Sequence, residues 1–566
     1  MSGKSNQSKR WQVVKKRKST KTKLKSDQII QILLTNRGIK TKKERLEFLK
    51  PTHPGKIKIK DFGIKKEEIL KSVKRILQAR KEKEKIIIYG DYDADGICGT
   101  AILWETLYYF NFDVSPYIPE RVSEGYGLNL ESIKKLKKQN KDFKLLITVD
   151  NGIVAHKEIK EAKKLGIDTI ICDHHIKGKK IPRALAIIHT TKVCATTVAW
   201  ILSREIKKKI KKEKPRVNLG EGLDLCAIGT VADQMSLVGI NRSFAKYGIG
   251  ELNDTKRPGL KALFEEAGLN FGVVGSYAIG FVIAPRLNAM GRLEHAIDSL
   301  RLLCTTSTIH ARELARALGK TNVRRQKVVE DTLLHAKGLV KDKSDKGIII
   351  ISHESYNEGV IGLAAAKLVE EYFRPAIVLS KGKEISKASA RSIPGFNIIE
   401  FIQKYDYYLE SGGGHSMAAG FSIKTQKLAE FSRLLKNDSK ELLTSDLTTR
   451  TLKIDTEVDF DQIDSNLVEK MEVFEPTGLG NPSPSFVTKK VDVLWVRIVG
   501  NDGKHLKMSL QNNSKTFQAV AFGMAEDHQQ IIPGKAIDIV YGVGFNTWNG
   551  NKNIELKIKD IREDKS

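Results

Sequence analysis

Three β-branched, apolar runs each end on an acidic motif, and that repeated arrangement leaves few folds open. Ile86-Ile87-Ile88-Tyr89 runs into Gly90-Asp91-Tyr92-Asp93-Ala94-Asp95-Gly96. Leu145-Leu146-Ile147-Thr148-Val149 runs into Asp150-Asn151-Gly152, and Thr169-Ile170-Ile171-Cys172 into Asp173-His174-His175. A fourth motif, Val231-Ala232-Asp233, follows. Runs of this kind are parallel strands buried on both faces. Their C-terminal ends meet along one edge of an open α/β sheet, where active sites form. The alternation of strand and helix patterns from Ile86 to about Leu237 agrees with such a sheet.

Carboxylates gathered at one edge cannot all stay ionised without a cation, because like charges raise one another's pKa. Two hard metal ions sharing a carboxylate relieve the repulsion, and a pair about 3.5–4 Å apart serves phosphodiester and phosphoanhydride hydrolysis. Oxygen ligands with one imidazole suit Mn2+ or Mg2+ better than zinc. The competing explanation is that aspartates after strands merely cap helices. Four motifs in order, one of them with paired histidines, favour the metals.

In this order the motifs resemble the DHH phosphoesterase superfamily, and within it the bacterial RecJ-type single-strand-specific 5′→3′ DNA exonucleases. The resemblance continues through Asn36-Arg37-Gly38-Ile39 with Phe48-Leu49, and through Ile118-Pro119-Glu120-Arg121 with Glu124-Gly125-Tyr126-Gly127. It extends to the segment from Ala284 to Leu293, Gly359-Val360-Ile361-Gly362, Ala390-Arg391-Ser392, Gly413-Gly414-His415 and Gly480-Asn481-Pro482. It implies an α/β protein: a DHH-type parallel-sheet catalytic lobe, a connecting helical region, a second α/β lobe of DHHA1 type, and a C-terminal OB-like β-barrel. The expected divisions are a basic N-terminal arm and lead-in (1–65), the metal-binding lobe (66–240), the helical connector (241–340), the substrate-binding lobe (341–440) and the barrel (450–566).

The resemblance also distributes roles. Asp93, Asp95, Asp150, His174 and Asp233 become metal ligands, Asp91 a ligand or the group that orients one, and Asp150 the bridge between two ions. Asp173 is expected to fix the neighbouring imidazole, and His175 to contact a phosphate or assist proton transfer. Asp150, His174 and His175 form the expected catalytic set. Arg121, Arg286, Asn288 and Arg292 are expected substrate contacts, with an internal salt bridge as the alternative for Arg292. The run Ser411-Gly412-Gly413-Gly414-His415-Ser416 offers backbone N–H groups to an anion, with Arg391, Ser392 and His415 as further donors. No GxxxxGK[ST] occurs, so an ATP-driven P-loop is not indicated.

The sequence departs from the family where Asn357-Glu358 replaces a histidine before Gly359. Thr190-Thr191 and Ala195-Thr196-Thr197 replace the family's usual Asn-Pro and Gly-rich turn.

Charge and composition narrow the setting. The net charge of +30 fits a phosphate-backbone partner or a lysine-rich compositional bias. Ten Lys or Arg and no acid fall in residues 1–26, read as a flexible arm that Trp11 can dock. The lysines at 207–209, 211 and 212 read as a solvated helix tail. Five cysteines without a CxxC pair point to reduced thiols and a cytoplasmic protein. No apolar run is long enough to cross a bilayer, so no membrane partner is expected. In the barrel, Phe522, Phe545, Trp495 and Trp548 are candidate base-stacking residues, at least half of them expected in the core. The expected activity is release of 5′-mononucleotides from single-stranded DNA, in repair and recombination, by a monomer. A helicase and a single-strand-binding protein are partners by resemblance. The alternatives are a phosphodiesterase for short oligoribonucleotides or cyclic dinucleotides, and an inactive replication scaffold.

Overall fold

The computed structural model describes residues 9–14, 24–210, 213–218, 220–340, 347–548 and 551–563. The chain opens with β1 (Arg10–Val13), α1 (Ser26–Asn36) and α2 (Lys42–Leu49). Residues 1–8 and 15–23 of the expected arm, and Lys211 and Lys212, lie outside the described residues. Residues 10–13 are a strand, which corrects the expectation of a wholly flexible arm. Trp11 does dock it: its Nε1 donates to Asp560 at 2.6 Å, and the Arg562 guanidinium lies 4.1 Å over its ring.

The catalytic lobe follows as α3 (Lys66–Lys81), β2 (Lys85–Gly90), α4 (Ala94–Tyr108), β3 (Val114–Tyr117), α5 (Leu130–Gln139), β4 (Phe143–Val149), α6 (His156–Lys164), β5 (Asp168–Asp173), β6 (Ala186–His189) and α7 (Ala195–Lys209). The five strands are parallel, in the order β3-β2-β4-β5-β6. Alternate residues of a strand face opposite sides. Ile86, Ile88, Leu145 and Ile147 enter one core, and Ile87, Tyr89 and Leu146 the other. Both faces are covered, which is why the runs carry no polar alternation.

The next helices are α8 (Leu223–Ala232), α9 (Gly239–Asn253), α10 (Pro258–Glu266), α11 (Ser276–Ala278), α12 (Ala284–Leu293), α13 (Ile297–Cys304) and α14 (Thr308–Leu339). Residues 241–340 are helical as expected, but they are not a separate connector. Phe244, Leu263, Leu287, Leu303 and Leu318 complete the first lobe's main core. Arg257 is buried there, paired with Glu105 at 2.5 Å and Asp224 at 3.0 Å. The end of α14 crosses over, where Ala336 joins the second lobe's core.

That lobe contains β7 (Ile349–His353), α15 (Ile361–Tyr372), β8 (Ala376–Ser380), β9 (Ile385–Arg391), β10 (Leu409–His415) and β11 (Ala418–Lys424). Its sheet order is β10-β11-β9-β8-β7. The remaining strands are β12 (Thr451–Ile454), β13 (Thr456–Glu457), β14 (Phe486–Val499), β15 (His505–Asn512), β16 (Lys515–Ala521), β17 (Ala536–Trp548) and β18 (Asn551–Glu563). Pairing runs β14-β15-β16-β18-β17 and closes from β17 back to β14, making a five-stranded OB-like barrel. Asn501-Asp502-Gly503 makes the expected turn between β14 and β15, while Asn549-Gly550 lies outside the described residues.

The division at residue 65 needs correcting. Ile29, Leu33, Leu34 and Phe48 share one core with Phe460, Phe474 and the barrel strands. β1 also pairs in parallel with β12. Arg37 Nε donates to Asn481 Oδ1 at 3.0 Å, and its Nη1 pairs with Asp455 at 3.2 Å. The segments at 36–39 and 480–482 are thus two halves of one clamp. Behind it, the fully buried Arg242 of α9 donates to the carbonyls of Phe48, Val473, Phe474, Glu475 and Pro476, binding the first lobe to the C-terminal domain.

Candidate metal centre and strand-binding cleft

β2, β4 and β5 end side by side, with Gly90 opposite Val149 and Val149 opposite Cys172. The register therefore delivers Asp91, Asp150 and Asp173 to one edge. Asp150 adopts φ 66°, a left-handed conformation uncommon outside glycine. Its neighbours hold it there. Asn151 Nδ2 donates to Val149 O at 2.9 Å, and Thr148 Oγ1 donates to Asn151 O at 2.8 Å. Gly152 follows at φ 108°, where a Cβ would sit 2.7 Å from Thr148 Oγ1. The Val-Asp-Asn-Gly order is the local recipe for that turn. Asp233 arrives separately, just past the end of α8.

His174 stands among the carboxylates. Its Nε2 is 3.1 Å from Asp150 Oδ1 and 3.7 Å from Asp95 Oδ2, and its Nδ1 is 3.6 Å from Asp233 Oδ2. Three sets of side chains place ligand atoms within 4.8 Å of one another: Asp91, Asp93 and Asp150; Asp150, His174 and His175; and Asp95, His174 and Asp233. Asp150 and His174 each belong to two of these sets, and of the two only the carboxylate has two oxygens with which to bridge a pair of ions. Oδ1 of Asp91 and Oδ1 of Asp150 are buried without a hydrogen-bond partner. Burial, then neighbouring carboxylates, hold both acids well above the usual carboxylate range, and push Asp233 up to about 8. Orphaned buried oxygens in a crowd of acids fit divalent cations, and the donor set of carboxylates with imidazole suits Mn2+ or Mg2+.

Two of the expected ligands also do structural work. Asp93 caps α4, its Oδ1 accepting from Asp95 and Gly96 N–H at 2.9 and 3.0 Å. The cap engages Oδ1 of Asp93. Asp95 accepts from Ala195 N–H at 2.7 Å and from Thr196 N–H at 2.9 Å and Oγ1 at 2.6 Å. Its carboxylate anchors the start of α7, and Thr196, one of the departures from the family, supplies the bond.

Asp173 is corrected in its target. It accepts backbone bonds from Ile153, His174 and His175, and its ring bond goes to Nδ1 of His175 at 2.8 Å, not to His174. Burial works to raise the Asp173 pKa, but the bond to and charge of His175, with the backbone donors, leave it lowered. In turn His175 rises to about 8, because Asp173 outweighs the burial that opposes its charge. Burial lowers His174, which favours the neutral imidazole a metal needs. Tyr126, which sequence reasoning noted only inside a motif, places its hydroxyl 3.1 Å from His175 Nε2 and donates to Asp150 O at 3.1 Å.

Arginines form the opposite wall. Arg292 donates to Gly359 O at 2.9 Å and is otherwise held among Arg121, Arg325 and Arg391. Burial, then these three cations, bring it down to about 9. Among the described residues Arg391 donates to Ser389 Oγ and Ala390 O, and burial lowers it too. Among the described residues neither has a carboxylate partner. Gly359 and Gly362 make room for them: a Cβ would meet Arg292 O at 2.1 Å and Arg391 Nη2 at 2.9 Å. Arg121 donates to Gly291 O at 2.9 Å and covers the Tyr92 ring at 4.0 Å.

Other expected contacts fall elsewhere. Arg286 is ion-paired with Glu266 at 2.8 Å, so the internal salt bridge anticipated for Arg292 belongs to Arg286. Asn288 Oδ1 accepts from Ala94 N–H at 2.7 Å and steadies the Asp91–Asp95 loop. Ser392 is buried and its Oγ donates to Phe396 O at 2.6 Å, which removes it as a phosphate donor. Gly413 and Gly414 lie not in a loop but in the edge strand β10, paired with Gly420 and Ala419. Among the described residues no strand pairs with the other side of that edge. His415 shares a cross-strand row with Ala418 and Arg391, two strands from the arginine. Asn357 Oδ1 caps Gly359 N–H at 2.8 Å, and Glu358 pairs with Lys387 at 2.8 Å.

In the barrel, Phe522 is exposed, and Trp495 and Phe545 are half-buried beneath Arg497 and Lys552 at 4.6 and 3.9 Å. None of the three is core, contrary to expectation, and the Trp548 side chain lies outside what is described.

Residues 85–230 match the model of the DHH family, N-terminal domain, residues 345–441 the DHHA1 domain, and residues 454–560 the RecJ OB domain. The chain is 35% identical to the single-stranded-DNA-specific exonuclease RecJ of Bacillus subtilis, over 97% of this chain and 70% of that one. It is 28% identical to the protein of that name from Haemophilus influenzae, over 87% and 90%. The fold is similar to the crystal structure of RecJ from Thermus thermophilus in complex with Mn2+, with a TM-score of 0.79 and 25% identity, covering 98% of this chain and 80% of that one.

Proposed function

Since the chain belongs to the RecJ family of single-stranded-DNA-specific exonucleases, we propose that it degrades single-stranded DNA from the 5′ end, releasing 5′-mononucleotides. The observation that carries this is the pairing of two features: ligand sets that share Asp150, and carboxylate-free arginines, Arg292 and Arg391, facing the same cleft. Asp91, Asp93, Asp150, His174 and Asp233, with one oxygen of Asp95, would hold two Mn2+ or Mg2+ ions. When bound, such ions activate water and neutralise charge on the leaving oxygen. Arg292 and Arg391 would grip a terminal phosphate by charge-assisted bonds. One comes from each lobe, so the seam between lobes would set where the strand end stops; the 5′ polarity is taken from the likeness to the RecJ exonucleases. His175 keeps a proton on Nδ1 against Asp173 and turns Nε2 toward the Tyr126 hydroxyl, ready to orient a phosphate oxygen or pass a proton. The barrel would hold the unreacted strand through Trp495 with Arg497 and Phe545 with Lys552. Such an enzyme acts as a monomer and draws its single strands from a helicase, in company with a single-strand-binding protein. Digestion of end-labelled single-stranded DNA and RNA in Mn2+ or Mg2+ tests the reading. Mononucleotides from the 5′ end of DNA are expected, and attack from the 3′ end would overturn the polarity.

A further inference from the structure

The helix that brings Asn288 and Arg292 to the metal loops is interrupted. α11 passes into a π turn over Ile279–Ile283, in which Ala284 N–H bonds Ile279 O, before α12 resumes. Pro285 accounts for the break, since it has no N–H to give the carbonyl of Phe281. Single π turns are rare and recur at functional sites. Tyr277 and Phe281 project together from this segment, their rings stacked at 4.7 Å and 25°. They are 72% and 69% exposed, so they contribute little to any core.

Their position is informative. Ser276 Oγ donates to Thr477 O at 2.6 Å, tying the start of the helix to the C-terminal domain. A Cβ on Gly280 would lie 3.7 Å from Val231 Cγ1, in the motif that ends at Asp233. The segment that carries the rings therefore touches the C-terminal domain at one point and the Val231–Asp233 motif at another. Two arginines lie nearby: Arg286 of α12 donates to Val282 O at 3.0 Å and pairs with Glu266, and Arg325 of α14 lies in its field with its Nε buried and without a hydrogen-bond partner among the described residues.

We propose that Tyr277 and Phe281 form a stacking platform for the bases of single-stranded DNA running between the barrel and the metal centre. The proposal rests on the exonuclease reading above. Flat rings receive the π face of any base, while Arg325 nearby suits a phosphate, which gives grip without sequence preference.

The test uses the full chain, freed of metal with EDTA so that no cleavage occurs. The probe is a fluorescent oligothymidylate of roughly 20 nucleotides, intact or with a single abasic spacer moved along it. The double variant Tyr277→Ala, Phe281→Ala should bind the intact probe about tenfold to a hundredfold more weakly. Tyr277→Phe should stay within about twofold, because the ring is kept. Spacers at one or two positions should weaken the wild type and leave the double variant indifferent. Unchanged melting temperature and circular dichroism establish that the variant is folded. Equal affinity of wild type and double variant, or spacer sensitivity retained in the variant, would overturn the platform and leave the rings to a protein partner. A wild type that neither binds nor degrades single-stranded DNA would defeat the exonuclease reading itself, whereas an active wild type with an unaffected variant defeats the platform alone.

Discussion

Replacing Arg242 should loosen the joint between the catalytic lobe and the C-terminal domain. Its guanidinium is fully buried and donates to five backbone carbonyls at 2.6 to 3.3 Å. It also lies 3.9 Å over the Phe48 ring. Burial lowers its pKa to about 10, so it is charged at neutral pH. A hydrogen bond to a charged group contributes about 1.5–3 kcal/mol. Five do not simply add, because the charge they solvate costs several kcal/mol to bury and vanishes with the side chain. Arg242→Ala should therefore cost about 3–5 kcal/mol, placing it among the large single-site effects. Arg242→Lys should recover less than half, since one ammonium has three donors and no planar fork. The measurement is urea unfolding followed by hydrogen exchange, read at residues 472–476 and at Phe48. A loss below about 0.5 kcal/mol, the size of an ordinary surface change, would refute the claim that these carbonyls depend on Arg242.

Asp150→Ala should cut hydrolysis below about a tenth of wild type while preserving the fold, and an active variant in Mn2+ would remove Asp150 as the bridge. The metal-free protein should lose stability as pH rises from about 4 to about 8. Asp233, raised to about 8, keeps its proton in the folded state while the unfolded chain releases it near 4. Mn2+ affinity should climb over the same window, and thermal melts with and without Mn2+ across pH would show both trends or neither. Arg391→Ala and His415→Ala should lose nuclease activity yet bind Mn2+ normally by calorimetry; weakened metal binding with unaltered nuclease kinetics would point away from a substrate role.

The strands and the motif edge were legible because they depend on local order: apolar runs buried on both faces, each followed by its aspartate. Long-range packing was not. Nothing in the sequence says that Arg286 meets Glu266 while Arg292 is left among cations, since the two arginines sit in equivalent surroundings along the chain. The glycines at 412–414 read as a loop by composition, but pairing with β11 makes them a strand. Asp173 next to two histidines is ambiguous until the turn shows which ring faces it. Residues 36–39 and 480–482 looked like separate motifs and are one clamp, visible only when the barrel is built.

That clamp has a consequence for synthesis. Ser26 and Leu24 meet their partners Asp464 and Gln462 across 438 residues of chain. At about 5–20 residues per second, α1 and α2 emerge from the ribosome roughly 20–90 seconds before the residues that cover them. Through that interval Ile29, Leu33, Leu34 and Phe48 have no final home, and the catalytic lobe must assemble beside an uncovered apolar surface. The first helices of the newborn chain thus wait for the barrel before their core is complete. Removing either end of the chain orphans the other.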